Sequence, residues 1–417
     1  MSVLPVALTW GVSGLLAALL LPRLRHRRRL AALVPLAAAV AALLTLGGGA
    51  DLDAVAAPGG LLLGRAGGGL ALLCALSMTV CLVLSPPPDS GEILVIGVCG
   101  ALSTVALATG SPLVWAVCFV AGMTLLGVRW VAAAPARATL AAARVGTLGA
   151  SVLVAAGPFL PVDAATVLPR AHLAGGLLAG GVAAGFGLVP VGGWVTAGAR
   201  LVRGAALAPW ALLLLPALLL TSQTLQNALP TGGRSTVGFI LLPVGALSSG
   251  WAALQGMSVG RRDRDRYPRV LLADLGLVAM ALATPEPGAR VGSLLLMLTH
   301  LCVGPLLLQE ASPGLAGPRR LAWLALSGVP PTPAFWGRFA TMAGLVAGFG
   351  GAPLIVTIPV AGALILITLR AAAAAGSTAD AARAGVATRA AAWMAPVAAL
   401  AVGLLPDWTL RAFLGLS

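Results

Sequence analysis

The sequence predicts an all-α integral membrane protein of about 14 transmembrane helices, arranged as inverted repeats with two broken helices. Three observations support this fold class. Hydrophobic residues make up 59% of the 417 residues and charged residues only 9%, and the mean hydropathy is +1.00. Apolar runs of spanning length follow one another along the chain, separated by short charged or turn-rich gaps. Glycine and proline interrupt two of these runs in a similar way.

The composition excludes a soluble fold of this length, because the surface of such a protein would be one large apolar patch. The formal charge of +14, from 26 basic and 12 acidic residues, raises the question of nucleic-acid binding. The arginines lie in the gaps between the apolar runs, which is the distribution that the positive-inside rule describes. We therefore predict contact with a lipid bilayer and no nucleic-acid partner.

Fourteen apolar runs along the chain are candidates for membrane spans, each of which needs about 20 apolar residues. The thirteenth run is long and is expected to include a turn at residues 348–353, so the count is approximate. The runs cover residues 3–22, 30–46, 67–85, 92–110, 112–132, 145–160, 172–190, 207–222, 236–256, 270–285, 290–309, 321–336, 340–369 and 388–406.

These runs leave little of the chain for a soluble domain. We predict a single polytopic membrane domain over residues 1–417. Within it, the N-terminal helices occupy 1–110, a first repeat 111–256, and a second repeat with the C-terminal helices 257–417. The first apolar run precedes its positive charges, so we expect it to be retained as a helix and not removed as a signal peptide.

The arginines predict the orientation. If alternate gaps face opposite sides, one side collects about 20 arginines, including the clusters at 23–29 and 261–269. The other side holds Arg65, Arg170, Arg234, Arg290 and Arg411. The arginine-rich side is expected to be cytoplasmic. Both termini are then external, in a multi-pass protein of the cell inner (plasma) membrane.

Two apolar runs about 140 residues apart carry the interruptions. The first contains Gly185, Pro190 and Trp194, and the second contains Gly328, Pro330, Pro331 and Trp336. Irregular backbone at membrane depth persists only where protein or a water-filled cavity satisfies its polar groups. Paired interruptions in two halves are typical of inverted-repeat transporters. Packing kinks in a bundle rich in small residues are the alternative interpretation.

The second interruption carries a family resemblance. Residues 324–339, LALSGVPPTPAFWGRF, resemble the GIPP-x-x-GF-x-GK-F segment of the antiporter-like, proton-translocating subunits of respiratory NADH:quinone oxidoreductase. The same family includes membrane subunits of multisubunit cation/proton antiporters and of membrane-bound hydrogenases. Weaker matches at 187–195 with 208–209, at 253–276 and at 299–308 follow in family order. The resemblance implies a membrane subunit of a hetero-oligomeric complex.

The resemblance also implies a mid-membrane line of ionisable residues, of which this sequence keeps little. In the family these residues are, in chain order, Glu, Lys, His, Lys and Lys. Here the Glu position falls near Ala121 and Gly122, the first Lys position on Gly185 and the His position on Gly192. The second Lys position falls near Leu219 and the third on Gly304. Only the terminal position keeps a charge, as Arg338. Arginine stays charged in proteins. We therefore predict a fixed charge at Arg338, which holds an anionic group of a neighbouring subunit or forms a barrier to cations.

Four residues are candidates for an ion path: Asp274, His300, Arg338 and His172. A proton relay needs groups whose two protonation states are both reachable near neutral pH, and Asp274, His300 and His172 have this property. Each also has a structural interpretation. Asp274 would be a paired or capping carboxylate, His300 a hydrogen-bonded interior histidine, and His172 an interfacial side chain.

Three functions are open on the sequence alone. The first is a conducting subunit of a proton-translocating complex of the NADH:quinone oxidoreductase type, or of a multisubunit antiporter or membrane-bound hydrogenase. The second is a degenerate subunit that keeps the fold and its contacts without conducting. The third is an unrelated small-molecule permease.

We predict no cofactor in this chain. The five cysteines lie in apolar runs without metal-ligand spacing, and no nucleotide, flavin or iron–sulfur signature is present. The chain would be at most a non-catalytic subunit of an enzyme complex, and any redox chemistry would belong to its partners.

Overall fold

The computed structural model describes residues 4–20, 27–47, 65–109, 112–133, 168–189, 195, 207–258, 263–309, 314–375 and 385–407. This part of the chain contains fourteen α-helices and a π-helical segment, Trp210–Leu214, that leads into the seventh. The helices are α1 Leu4–Leu20, α2 Arg27–Gly47, α3 Arg65–Leu84, α4 Ser90–Ala108, α5 Pro112–Ala133, α6 Leu168–Phe186, α7 Leu215–Ala228, α8 Thr231–Ser258, α9 Asp263–Leu282, α10 Pro287–Leu307, α11 Ala316–Ala325, α12 Pro333–Phe349, α13 Leu354–Ala375 and α14 Val386–Leu404.

The predicted fold class, a multi-pass all-α membrane protein, is confirmed. Among the described residues, seven helices are long and apolar enough to cross a membrane by length and composition: α3, α4, α5, α8, α10, α13 and α14. Large apolar side chains also point outwards; Leu44 is 70% exposed, Phe239 83% and Ile355 78%. Such a surface is suited to lipid or to partner subunits and not to water.

Two predicted spans have different borders in the structure. The run 321–336 contains the second half of α11 and the start of α12, and the run 340–369 contains the last ten residues of α12 and most of α13. The turn expected at 348–353 is present: α12 ends before Gly350, whose φ is +70°, a conformation that favours glycine. Proline at residue 333 begins α12 earlier than the hydropathy pattern indicated, because proline suits the first turn of a helix. The predicted span 145–160 lies outside the described residues.

Close packing of glycines brings the central helices together. A Cβ atom added at Gly245 of α8 would lie 2.5 Å from the carbonyl oxygen of Gly276 on α9. A Cβ atom at Gly292 of α10 would lie 2.4 Å from the backbone nitrogen of Thr341 on α12. Small residues at such contacts let membrane helices approach closely. As a result, α9, α10 and α12 pack into one group beside α8.

The first interrupted run ends α6 in the protein interior. Gly187 has φ +70°, and the backbone N–H of Leu188 donates to the carbonyl of Ala183 at 2.8 Å. This pattern is a Schellman-type helix end. The N–H of Val189 donates to Ser248 Oγ of α8 at 2.9 Å, so the freed backbone is satisfied by a neighbouring helix.

The second interrupted run separates α11 from α12. Gly328 has φ +73°, and the peptide bond between Pro330 and Pro331 is cis. Thr332 caps α12, with its Oγ1 accepting from the N–H of Phe335 at 3.4 Å. The helix is therefore interrupted at residues 326–332 and begins again at Pro333. The first turns of α12 are largely buried in the bundle.

Candidate functional site

A buried ion pair joins α9 and α12. Asp274 Oδ1 accepts from Arg338 Nε at 2.9 Å, and Asp274 Oδ2 accepts from Arg338 Nη2 at 3.0 Å. The two parallel hydrogen bonds form the bidentate geometry that the guanidinium fork favours. Both side chains are buried, with relative exposures of 1% for the aspartate and 4% for the arginine. Asp274 of the same chain is thus an anionic partner of Arg338, whereas the predicted contact of Arg338 with a neighbouring subunit stays a prediction.

His300 of α10 completes the cluster from the third helix. Its Nε2 lies 3.0 Å from Asp274 Oδ2, and its Nδ1 lies 3.4 Å from the hydroxyl of Tyr267. A neutral imidazole that carries its proton on Nε2 can donate to the carboxylate and accept from the tyrosine. In that form the cluster holds one negative and one positive charge and is electrically balanced.

Gly328 in the break between α11 and α12 makes room for the guanidinium. A Cβ atom at this position would lie 2.4 Å from Arg338 Nη1. That Nη1 atom is buried and has no hydrogen-bond acceptor among the described residues. Glycine is therefore favoured at position 328 for two reasons: the turn requires a positive φ, and Arg338 approaches closely.

The remaining residues of the second interruption face outwards. Val329, Pro330, Pro331 and Trp336 are exposed at the surface of the chain. Trp336 Nε1 also donates to the carbonyl of Gly403 in α14 at 3.0 Å. In the first interruption, Gly185 is buried, whereas Pro190 and Trp194 lie outside the described residues.

Of the four ion-path candidates, the structure brings together Asp274, His300 and Arg338. His172 does not join them. It is exposed near the start of α6, and its Nδ1 lies 2.7 Å from Thr236 Oγ1 on α8.

Two glycines at positions where the resemblance implies ionisable residues have hydrocarbon side chains as their nearest neighbours. A Cβ atom at Gly122 would lie 2.8 Å from Leu214 Cδ2, and one at Gly185 would lie 2.6 Å from Leu218 Cδ2 and 3.0 Å from the Phe119 ring. Leu219 is itself fully buried. Gly192 lies outside the described residues.

In the second repeat the corresponding position, Gly304, is crowded by a polar group. A Cβ atom there would lie 2.7 Å from the hydroxyl of Tyr267. The tyrosine thus occupies space beside the site at which the family carries a lysine, and it connects that space to His300.

Tyr267 was missed by the sequence analysis. It is the single tyrosine of the chain and lies seven residues before Asp274, two turns away on the same face of α9. That spacing, in a chain with so few polar aromatic residues, is the signal that could have identified it. The contact between Gly328 and Arg338 had no such signal, because it depends on the path of the broken helix.

No protein-family model matches the sequence, and no curated protein matches it. Solved structures do resemble it. A chain of respiratory complex I from Thermus thermophilus has a TM-score of 0.75 at 20% identity, covering 97% of this chain and 98% of that chain. A chain of the membrane-bound sulfane sulfur reductase, an archaeal respiratory membrane complex, has a TM-score of 0.79 at 14% identity, with 97% and 95% covered. A chain of the Mrp complex from Dietzia sp. DQ12-45-1b has a TM-score of 0.78 at 16% identity, with 99% and 52% covered.

These similarities establish the fold. At such low identity they do not transfer an activity. The sequence-based resemblance is confirmed at this level: the chain has the fold of subunits that occur in multisubunit membrane complexes.

Proposed function

We propose that this chain is an antiporter-like membrane subunit of a proton-translocating respiratory complex, with a structural role and no complete proton path of its own. It would lie in the plasma membrane with both termini external, beside other membrane subunits. A multisubunit cation/proton antiporter and a membrane-bound hydrogenase are alternative complexes with the same kind of subunit.

The observation that carries this proposal is the hydrocarbon packing around Gly122 and Gly185. A proton hop spans about one hydrogen bond, or one water more. Side chains of Phe119, Leu214 and Leu218 fill the space into which a side chain at those positions would extend. The nearest atoms at these two glycines belong to hydrocarbon side chains, which offer neither a titratable group nor a polar wall for water.

The ion pair of the second repeat supports the same conclusion. Arginine stays charged in proteins, and the guanidinium of Arg338 binds both carboxylate oxygens of Asp274. A carboxylate with both oxygens bound to a fixed cation is a poor proton carrier. The pair instead ties α9 to α12 at the broken helix.

Local proton movement at His300 is the second candidate function. Its two ring nitrogens face Asp274 and Tyr267 at 3.0 and 3.4 Å, which is the arrangement of a short relay. In that case the relay would have moved to new residues, and a path to both membrane surfaces would have to form from water or from partner subunits.

Proton flux into liposomes tests the proposal. Purified chain in vesicles that contain an interior pH dye should show no flux above empty vesicles under an imposed potential. Robust flux that is abolished by His300→Ala or Asp274→Asn would contradict the structural role and support the second candidate.

The complex provides the complementary measurement. Proton flux by the reconstituted complex should be compared with and without this subunit, and with a subunit that carries His300→Ala. A structural subunit predicts that omission impairs assembly and thereby flux, whereas His300→Ala leaves the flux per assembled complex unchanged.

A further inference from the structure

A second polar site lies at one end of the bundle, away from the buried ion pair. A cavity of about 390 Å³ is enclosed by the C-terminal ends of α7, α9 and α12 and the N-terminal ends of α8 and α10. This volume lies at the lower end of the range of small-molecule sites, about 300–1,000 Å³. The residues that matter for its chemistry are Gln226, Arg234, Glu286, Arg290, Phe239 and Phe349.

Two hydrogen-bond donors at this cavity have no acceptor among the described residues. They are Nε2 of Gln226 and Nε of Arg290, and both atoms are buried. The side chain of Gln226 as a whole is only 6% exposed. Buried donors without an acceptor are costly, and each such group calls for an explanation. Both residues line the cavity, so an anion there is within reach of their side chains after a small turn.

The charges at the cavity favour an anion. Arg234 and Arg290 contribute two positive charges, and Glu286 contributes one negative charge. Within the described residues Glu286 and Arg290 form no ion pair, although both line the same space. Arg234 is oriented by its Nε, which donates to the carbonyl of Leu229 at 2.7 Å. The net positive charge is thus held in place beside the two buried donors.

The walls of the cavity indicate where the anion comes from. Phe239 of α8 is 83% exposed and Phe349 of α12 is 38% exposed, and both line the cavity. In a membrane-spanning helix such rings face acyl chains. Polar donors and arginines at one end of the bundle, next to exposed aromatic rings, match a molecule with a charged head and an apolar tail.

We propose that this cavity binds the phosphate group of an anionic phospholipid, with Arg234 and Arg290 as its charge partners and Gln226 as a further donor. The acyl chains lie along Phe239. Phosphate suits this set because it offers several strong acceptor oxygens, and arginine contacts it through charge-assisted hydrogen bonds. The site is independent of the buried ion pair and of whether the chain conducts protons.

Native mass spectrometry of the purified full chain with added lipids tests this proposal. The wild-type protein should retain phosphatidylglycerol in preference to phosphatidylcholine. The double variant Arg234→Gln/Arg290→Gln should lose that preference and bind phosphatidylglycerol at least about tenfold more weakly, since charge-assisted contacts of this strength correspond to a tenfold change or more.

The matched control is the double variant Arg320→Gln/Arg389→Gln, which removes the same charge from two exposed positions. It should retain phosphatidylglycerol as the wild type does. An equal loss in the control would show a general charge effect and overturn the proposed site, as would equal retention by the wild type and the cavity variant.

A gain of binding separates the proposal from misfolding. Glu286→Gln removes the one carboxylate at the cavity, so it should bind phosphatidylglycerol more tightly than the wild type. Unchanged or weaker binding by a well-folded Glu286→Gln protein would contradict the proposal.

Inorganic phosphate distinguishes the two sources of the anion. Titrated at constant ionic strength, it should not displace phosphatidylglycerol at millimolar concentration, because it lacks the acyl chains that contact Phe239. If inorganic phosphate displaces the lipid and binds the wild type but not the Arg234→Gln/Arg290→Gln variant, the lipid assignment is wrong and the site takes the free ion.

Discussion

The surroundings of Gly185 and of Asp274 differ. Around Gly185 the space is filled by Leu218 and Phe119, whereas around Asp274 it is filled by Arg338 and His300. Both regions lie beside a helix end, and both are buried. The difference teaches that the interrupted backbone alone does not require a polar interior. One break is satisfied by local capping and a serine, and the other is built around a charged side chain.

The two regions should also differ in how much stability a substitution costs. An added methyl group in the hydrocarbon packing around Gly185 has a moderate cost, because flexible side chains can shift part of the way. The ion pair in the second repeat does not tolerate the loss of one partner, because the other charge is then buried without compensation. Substitutions should therefore have unequal effects in the two regions.

The largest effect is expected for Arg338→Gln. It leaves Asp274 buried without its cation and should destabilise the protein by about 3–5 kcal/mol. Arg338→Lys should fall between wild type and Arg338→Gln, since lysine keeps the charge but not the bidentate geometry. Thermal unfolding in detergent measures the order.

The double variant Asp274→Asn/Arg338→Gln is the control for that prediction. It removes both charges and should recover most of the stability lost by Arg338→Gln. A double variant as unstable as the single one would show that Arg338 acts through packing and not through its charge.

The next effect concerns Gly328, for which Gly350 is a matched control. Both glycines have positive φ, but a Cβ atom at Gly350 meets nothing within 4 Å, whereas one at Gly328 would lie 2.4 Å from Arg338 Nη1. Gly350→Ala should cost about 1–2 kcal/mol for the backbone alone. Gly328→Ala should cost a further 1–3 kcal/mol, roughly, for displacing the arginine. Equal losses of thermal stability would refute the close contact.

In the first repeat, Gly185→Ala should cost about 1–3 kcal/mol, because the new methyl group must displace Leu218 and the Phe119 ring. The control is Gly250→Ala in α8, where the space is open and alanine should stabilise the helix by about 0.5–1 kcal/mol. A difference in sign between the two variants, measured by unfolding in detergent, is the expected result. If Gly185→Ala is also neutral or stabilising, the packing is looser than the structure indicates.

The smallest effect is expected for Tyr267→Phe. The substitution removes a hydroxyl that lies 3.4 Å from His300 Nδ1, a long hydrogen bond. We expect a loss of about 0.5–1 kcal/mol, near the lower end of the usual range. A loss as large as that of Arg338→Gln would mean that the tyrosine is an essential member of the cluster.

The sequence by itself determined the class of the protein and the positions of its interruptions. Both are local properties. Hydropathy depends on about 20 neighbouring residues, and glycine and proline act on the backbone where they stand. For the same reason the turn near Gly350 was predicted correctly. The predicted border between α11 and α12 differed from the observed one, because hydropathy does not show where a new helix begins.

The candidate site was predicted only as separate residues. Charged and titratable side chains are costly inside a membrane and are usually functional there. For that reason the sequence could identify Asp274, His300 and Arg338. Which of them meet depends on contacts between residues 26 and 64 positions apart. Packing of α9, α10 and α12 through glycines decided those contacts, whereas His172 lies on α6 and contacts α8. The tertiary structure alone could show this, because the pairing of charges follows from the distances between helices and not from the order of residues along the chain.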